Sequence, residues 1–254
     1  MKTRLTITDL TRMQRQRVCV AGYAEDGRCI RPVLPPPGIP ESSLAAAGKP
    51  VIFPFAVVEY ELLRHHPQPP HTEDWSYAPG SARYERQLDG KQKRELLEST
   101  RFPGVAAIFE QTIQHNPGRF VMDGVGPRSV GTIRLRRILQ AVYQESPETG
   151  RWDYRLMFVD DQGETYRLKI VDLTWAYYLE GLRTSGQDTR QAFRQLTAAL
   201  RSCEAIYLRI GLARGWAKFP DRCYLQVTGV YTFPDCLQGK TFLDFLPPPN
   251  PQAA

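Results

Sequence analysis

The segment Ala213-Arg214-Gly215-Trp216-Ala217-Lys218-Phe219-Pro220-Asp221-Arg222 interleaves three cations with two aromatic rings. Rings of this kind stack on unpaired bases while guanidinium and ammonium groups neutralise phosphates, so the segment has the composition of a nucleic-acid grip. Trp216 and Phe219 serve that chemistry only when displayed; folded inward, the same rings plug the end of a domain. A second run, Thr11-Arg12-Met13-Gln14-Arg15-Gln16-Arg17, holds three arginines and no acid. It reads either as a phosphate-binding loop or as a solvated turn.

Further arginines sit on strand-like stretches. Arg28 and Arg31 are three positions apart and cannot share a face of a regular strand, so at most one joins a surface, and Arg31 is the candidate. Arg134 and Arg136 alternate with Ile133 and Leu135, which places both on one face; Arg151 and Arg155 follow at an even spacing. Together these four line a groove or form the wet side of a half-buried sheet.

Readings as an enzyme have thinner support. His65, His66 and His71 with Glu73 and Asp74 offer metal-ligand atoms, but in no defined spacing and among prolines, so no metal site is expected there. Asp160-Asp161, followed by Gln162-Gly163, has turn chemistry before it has that of a nuclease carboxylate pair. Phosphate-loop, dinucleotide and serine-hydrolase motifs are missing, so no cofactor and no catalysis is expected. Cys19, Cys29, Cys203, Cys223 and Cys236 contain no C-x-x-C pair and mostly adjoin apolar runs, where a thiol acts as a small hydrophobe.

Composition narrows the partners. The 254 residues carry a net charge of +6 and are 42% hydrophobic, enough to bury a core. Charge concentrates in residues 2–35, 128–155 and 183–222, which together carry +12 against −6 elsewhere. Local clustering of this kind attracts a phosphate backbone. No apolar run spans a membrane and the first residues lack a signal-peptide core, so a cytoplasmic protein without a membrane partner is expected.

The elements that must position these residues are mainly strands. Residues 133–145, 151–159 and 164–171 alternate and are joined by turn chemistry at 146–150 and 160–163, giving an antiparallel meander. The period then lengthens to 3.6: Asp172 caps a short helix, Asp188 with Gln191 resembles a capping box for a longer one, and strands 205–212 and 223–232 follow. Strand, strand, strand, helix, strand, strand is the order of an OB-fold barrel. The N-terminal half fits the same order less well, with strands near 4–9, 17–23, 27–33 and 51–63, a Pro-rich excursion at 34–50, an irregular loop at 64–82 and helices within 91–115. The expected class is therefore mainly β with α, two OB-like barrels in tandem: an N-terminal module over 1–125, a C-terminal module over 126–245, and a Pro-rich tail at 246–254.

Two stretches resemble a known family. Val18-Cys19-Val20-Ala21-Gly22-Tyr23 with Gly27-Arg28-Cys29-Ile30-Arg31-Pro32-Val33, and Leu208-Arg209-Ile210-Gly211-Leu212-Ala213-Arg214 with Cys223-Tyr224-Leu225-Gln226-Val227-Thr228-Gly229-Val230-Tyr231, are similar to the opening and closing signatures of the bacterial dual OB-containing domain family. The resemblance implies tandem OB-like barrels and a role in nucleic-acid binding, with no catalytic residues to carry over. Cys29 stands where that pattern has an aromatic residue, which removes a stacking platform from the first barrel. In an OB-fold, oligonucleotides lie across strands 2 and 3 between the loops joining strands 1–2 and 4–5, and residues 213–222 form the latter loop of the second barrel. The expected partner is single-stranded or structured DNA or RNA. The competing reading is a subunit that docks a nuclease, helicase or defence component through an apolar patch around Tyr77, Tyr84 or Tyr177 and Tyr178.

Overall fold

Strands that bury one face each must curl that face around a common core, and here they do so twice. The computed structural model describes residues 1–145, 150 and 152–246. Arg151 and nearly all of the expected tail lie outside the described residues. The first barrel consists of β1 (Lys2–Arg12), β2 (Arg17–Ala24), β3 (Cys29–Val33), β4 (Ala56–His65) and β5 (Asp74–Tyr77). Its hydrogen bonding runs β1–β2–β3–β5–β4 and back to β1, with only β3–β5 parallel. After β6 (Arg83–Gln87), α1 (Gly90–Ser99), α2 (Val105–Phe109) and β7 (Arg119–Met122) comes the second barrel: β8 (Val130–Glu145), β9 (Trp152–Asp160), β10 (Thr165–Ile170), α3 (Leu173–Thr184), α4 (Thr189–Arg201), β11 (Ala205–Leu212) and β12 (Arg222–Phe233). Its circuit is β8–β9–β10–β12–β11 and back to β8, again with one parallel pair, β10–β12. Both circuits have OB-fold connectivity.

The second barrel matches the sequence reading closely. Asp172 caps α3 by accepting the Trp175 N–H, and Asp188 caps α4 through the Arg190 N–H. The 16-residue β8 bends around the barrel through irregularities between Leu135 and Arg137 and between Ile138 and Gln140. The first barrel departs from it in three places. The loop expected at 64–82 contains β5, the strand that closes the barrel. The fourth strand begins at Ala56, beyond Pro54. Between β3 and β4 stand a short 3-10 turn, Glu41–Leu44, and the two-residue strands Ile39–Pro40, Ala45–Ala46 and Lys49–Pro50; the fully buried Leu44 of the turn joins Ile39 and Ile52 in the core. Of the helices expected within 91–115, α2 ends at Phe109, capped by Glu110, which is left-handed at φ 52°, so Ile113 is not helical.

The two modules share their cores. Val105, Ile108, Phe109 and Val121, all before residue 126, pack into the second barrel, whereas Leu173 and Phe242 pack into the first. A third cluster joins Phe55, Val57 and Leu97 to Ala205, Tyr207 and Tyr231 across the junction. Beside it lies a buried polar network centred on Arg209, which has no exposed surface. Its Nε donates to Asp9 Oδ2 at 2.8 Å and its Nη1 to the Tyr23 hydroxyl at 2.7 Å and Thr132 Oγ1 at 2.9 Å. Thr228 Oγ1 donates to the other Asp9 oxygen at 2.6 Å. A buried charge this far from water is tolerated only when paired and hydrogen-bonded, so the network fixes how one barrel meets the other.

Candidate nucleic-acid interface

The loop between β11 and β12 is a tight hairpin. Ala213 N–H donates to Tyr224 O at 2.8 Å, and Trp216 and Phe219 exchange backbone hydrogen bonds at 3.3 and 2.8 Å. Gly215 allows the close crossing: a Cβ there would lie 2.0 Å from the Pro220 carbonyl oxygen. Arg214 anchors the near end by an ion pair with the buried Asp74 of β5, whose other oxygen holds Arg31 Nε at 2.5 Å. The first barrel thereby orients the second barrel's loop.

The rings of this loop form a surface cluster. Trp216 keeps 47% of its surface exposed and meets Phe219 edge to face with centroids 5.7 Å apart. Phe219 also approaches Tyr224 at 6.4 Å. The Arg222 guanidinium is sandwiched between Phe219, at 4.3 Å, and Phe120, at 4.6 Å, and donates to Asn116 O at 2.6 Å. Lys218 Nζ lies 5.6 Å from the Phe219 centroid. The displayed alternative thus holds for Trp216, while Phe219 is half-buried in support of it. Phe120 and Tyr224 are part of the cluster that sequence reading missed; a Phe or Tyr in a strand gives no sign of what it will stack on.

The second arginine run meets the same surface from the other barrel. Arg12 N–H donates to Val171 O at 2.7 Å, and its guanidinium lies 5.3 Å over the Tyr177 ring of α3. Arg15 is exposed, and Arg17 is half-buried. Two residues before Val171, Lys169 pairs with Gln226 of β12 on one side and with Arg155 of β9 on the other. Gln226 is in turn two residues from Tyr224, on the same face of β12. A chain of neighbours therefore links Arg12, across the buried Val171, to Lys169, Gln226, Tyr224, Phe219 and Trp216, spanning both barrels. Arg155 lies 3.3 Å and Lys169 Nζ 2.5 Å from Asp153, which offsets part of their charge.

Other predicted residues lie elsewhere. Arg31 is 7% exposed, held by Asp74 and, at 3.1 Å, by Ser129 Oγ, so it joins the modules and is no part of a surface. Arg134 approaches Glu98 of α1 at 3.7 Å, whereas Arg155 is paired with Asp153. The irregularity in β8 between Leu135 and Arg137 breaks the alternation that was to align Arg134 with Arg136, and Arg136 is simply exposed. The histidine group disperses as well: His65 Nε2 contacts Thr72 O at 2.8 Å and its ring stacks on Trp75, and His66 Nε2 contacts Ser76 Oγ at 3.2 Å. Glu73 accepts from Ser129 N at 2.7 Å and Oγ at 2.9 Å. Asp160 is the turn residue it was read as, accepting the N–H groups of Gln162, Glu164 and Val105. No helix among the described residues is long and apolar enough to cross a membrane.

No curated protein matches the chain. A family model described as dual OB-containing domain matches residues 10–230, from the end of β1 to the middle of β12. The match spans both barrels and the junction between them, and the chain belongs to the dual OB-containing domain family.

Proposed function

We propose that this protein binds single-stranded or structured nucleic acid along the neighbours that link Arg12 to Trp216, without catalysis of its own. The observation that carries the reading is Trp216: a large ring 47% exposed on a hairpin held rigidly by Gly215 and Arg214, with Lys218 and Arg222 beside it. Membership of the family and the strand 4–5 loop position support it, because OB-folds grip oligonucleotides there. The protein-docking alternative has less support. Tyr77 is buried, Tyr177 and Tyr178 are half-buried with the Tyr177 hydroxyl bonded to Glu41, and of the four rings Tyr84 alone is exposed, at 45%, stacked on Phe53 with centroids 5.8 Å apart.

Filter binding of labelled oligonucleotides at two salt concentrations tests the proposal. If about four cations contact phosphates, log Kobs should fall against log salt with a slope near −3, from about −0.7 per phosphate on single strands. Absence of binding at low salt, or binding indifferent to salt, would sink it.

A further inference from the structure

At the module junction, three segments far apart in the chain bring together side chains that the proposed binding surface does not use. His71 lies between β4 and β5, Asp123 directly after β7, and Cys223 at the start of β12. Cys223 Sγ is 3.9 Å from His71 Nε2 and 3.4 Å from Asp123 Oδ1, and the three ligand atoms all lie within 4.8 Å of one another. A tetrahedral zinc ion with bonds of about 2.0–2.3 Å holds its ligand atoms roughly 3.3–3.6 Å apart, so small side-chain adjustments suffice to close the site.

A second observation points the same way. His71 is 2% exposed, its Nδ1 has no hydrogen-bond partner, and Nε2 has only the long contact to the thiol. A buried imidazole normally has at least one nitrogen well satisfied. Cys223 is fully buried, whereas Asp123 is exposed and gives an ion a path from solvent. One thiolate, one carboxylate and a dication sum to zero charge, which suits a site whose neighbouring arginines are already offset by Asp74 and Glu73.

We infer that His71, Asp123 and Cys223 bind one zinc ion, leaving a fourth position toward solvent for water. A mixed thiolate, imidazole and carboxylate set favours zinc over magnesium or calcium, which take oxygen ligands. On uptake the Cys223 S–H bond breaks, an S–Zn bond forms and the proton passes to buffer, with no change of oxidation state. The ion fastens the β4–β5 loop of the first barrel to β12 of the second. This inference stands apart from the proposed nucleic-acid binding.

Cobalt(II) provides the test. Chelator-treated full-length protein titrated with cobalt should take up one equivalent, show the visible bands of a four-coordinate ion with a sulfur-to-cobalt charge-transfer band, and lose both when zinc is added. Cys223→Ser should abolish the charge-transfer band. Asp123→Asn changes an exposed residue and should preserve thermal unfolding while weakening binding at least about tenfold. Zinc should raise the melting temperature of the parent protein more than that of Asp123→Asn. Folded protein that shows no cobalt band overturns the inference, as does a band that survives in Cys223→Ser or an affinity unchanged in Asp123→Asn.

Discussion

Replacing Asp9 by Asn keeps the shape of the inter-barrel network and removes one charge. Arg209, without exposed surface, then loses the carboxylate that accepts its Nε at 2.8 Å. The hydroxyls of Tyr23 and Thr132 still accept from Nη1, but neither carries the opposite charge. Breaking a buried pair by removing one partner costs about 3–5 kcal/mol, a large share of the roughly 5–15 kcal/mol that holds a domain folded. For a chain of this size that corresponds to a fall in melting temperature of roughly 6–20 °C. Urea denaturation followed by both tryptophan fluorescence and circular dichroism would measure it. The parent should unfold in one transition, because the barrels share cores, and Asp9→Asn should lower the midpoint or split the transition. Asp9→Leu combined with Arg209→Met, which removes both charges, should recover most of the loss. An Asp9→Asn variant within about 1 kcal/mol of the parent, or a double variant as unstable as the two single losses added, would refute the idea that this pair locks the junction.

Other outcomes follow from the same geometry. Burial pushes the Asp172 carboxyl up to about 7, with the Trp175 and Val230 N–H groups pulling it down. The folded chain therefore keeps a proton that the unfolded chain gives up between about pH 4 and 7, and stability falls as pH rises through that window, by at most about 1.4 kcal/mol per pH unit. Asp172→Asn should flatten the fall between urea midpoints at pH 5 and pH 7; an unchanged slope counts against it. Arg31→Met should destabilise the fold by uncoupling Asp74 and Ser129 without altering the salt slope of nucleic-acid binding, and a changed slope would return Arg31 to the surface. Gly215→Ala should displace the Pro220 backbone and weaken oligonucleotide binding several-fold at constant melting temperature. Equal affinity in that variant would mean that the hairpin's shape is irrelevant.

How much of this was legible in the sequence differs between the halves. The second barrel announces itself because its strands alternate and its joints carry turn residues such as Asp160 and Gly163, all local signals. The closing strand of the first barrel does not. Asp74-Trp75-Ser76-Tyr77 is short and polar, and the buried Asp74 is matched there by Arg31, 43 positions earlier, and by Arg214 of the second barrel. The cations and rings of the 213–222 hairpin were visible because they are contiguous. Phe120, which completes the Arg222 sandwich, lies far upstream of Arg222 in the chain and carries no local mark of that contact. Arg31 and Arg209 show the opposite failure: an arginine on a strand gives no local sign that its charge is matched by an acid far away in the sequence, Asp74 for the one and Asp9 for the other. Cys223 was read as a small hydrophobe, and only the fold sets it beside His71 and Asp123.

The most direct test of the binding surface is the affinity of Trp216→Ala for a single-stranded oligonucleotide, measured by fluorescence anisotropy beside the parent protein at one low salt concentration. Stacking of one base contributes about 1–3 kcal/mol, so the variant should bind roughly 5- to 150-fold more weakly while melting at the same temperature. Equal affinity in a folded variant would contradict the account, because it would place the nucleic acid somewhere other than the β11–β12 hairpin.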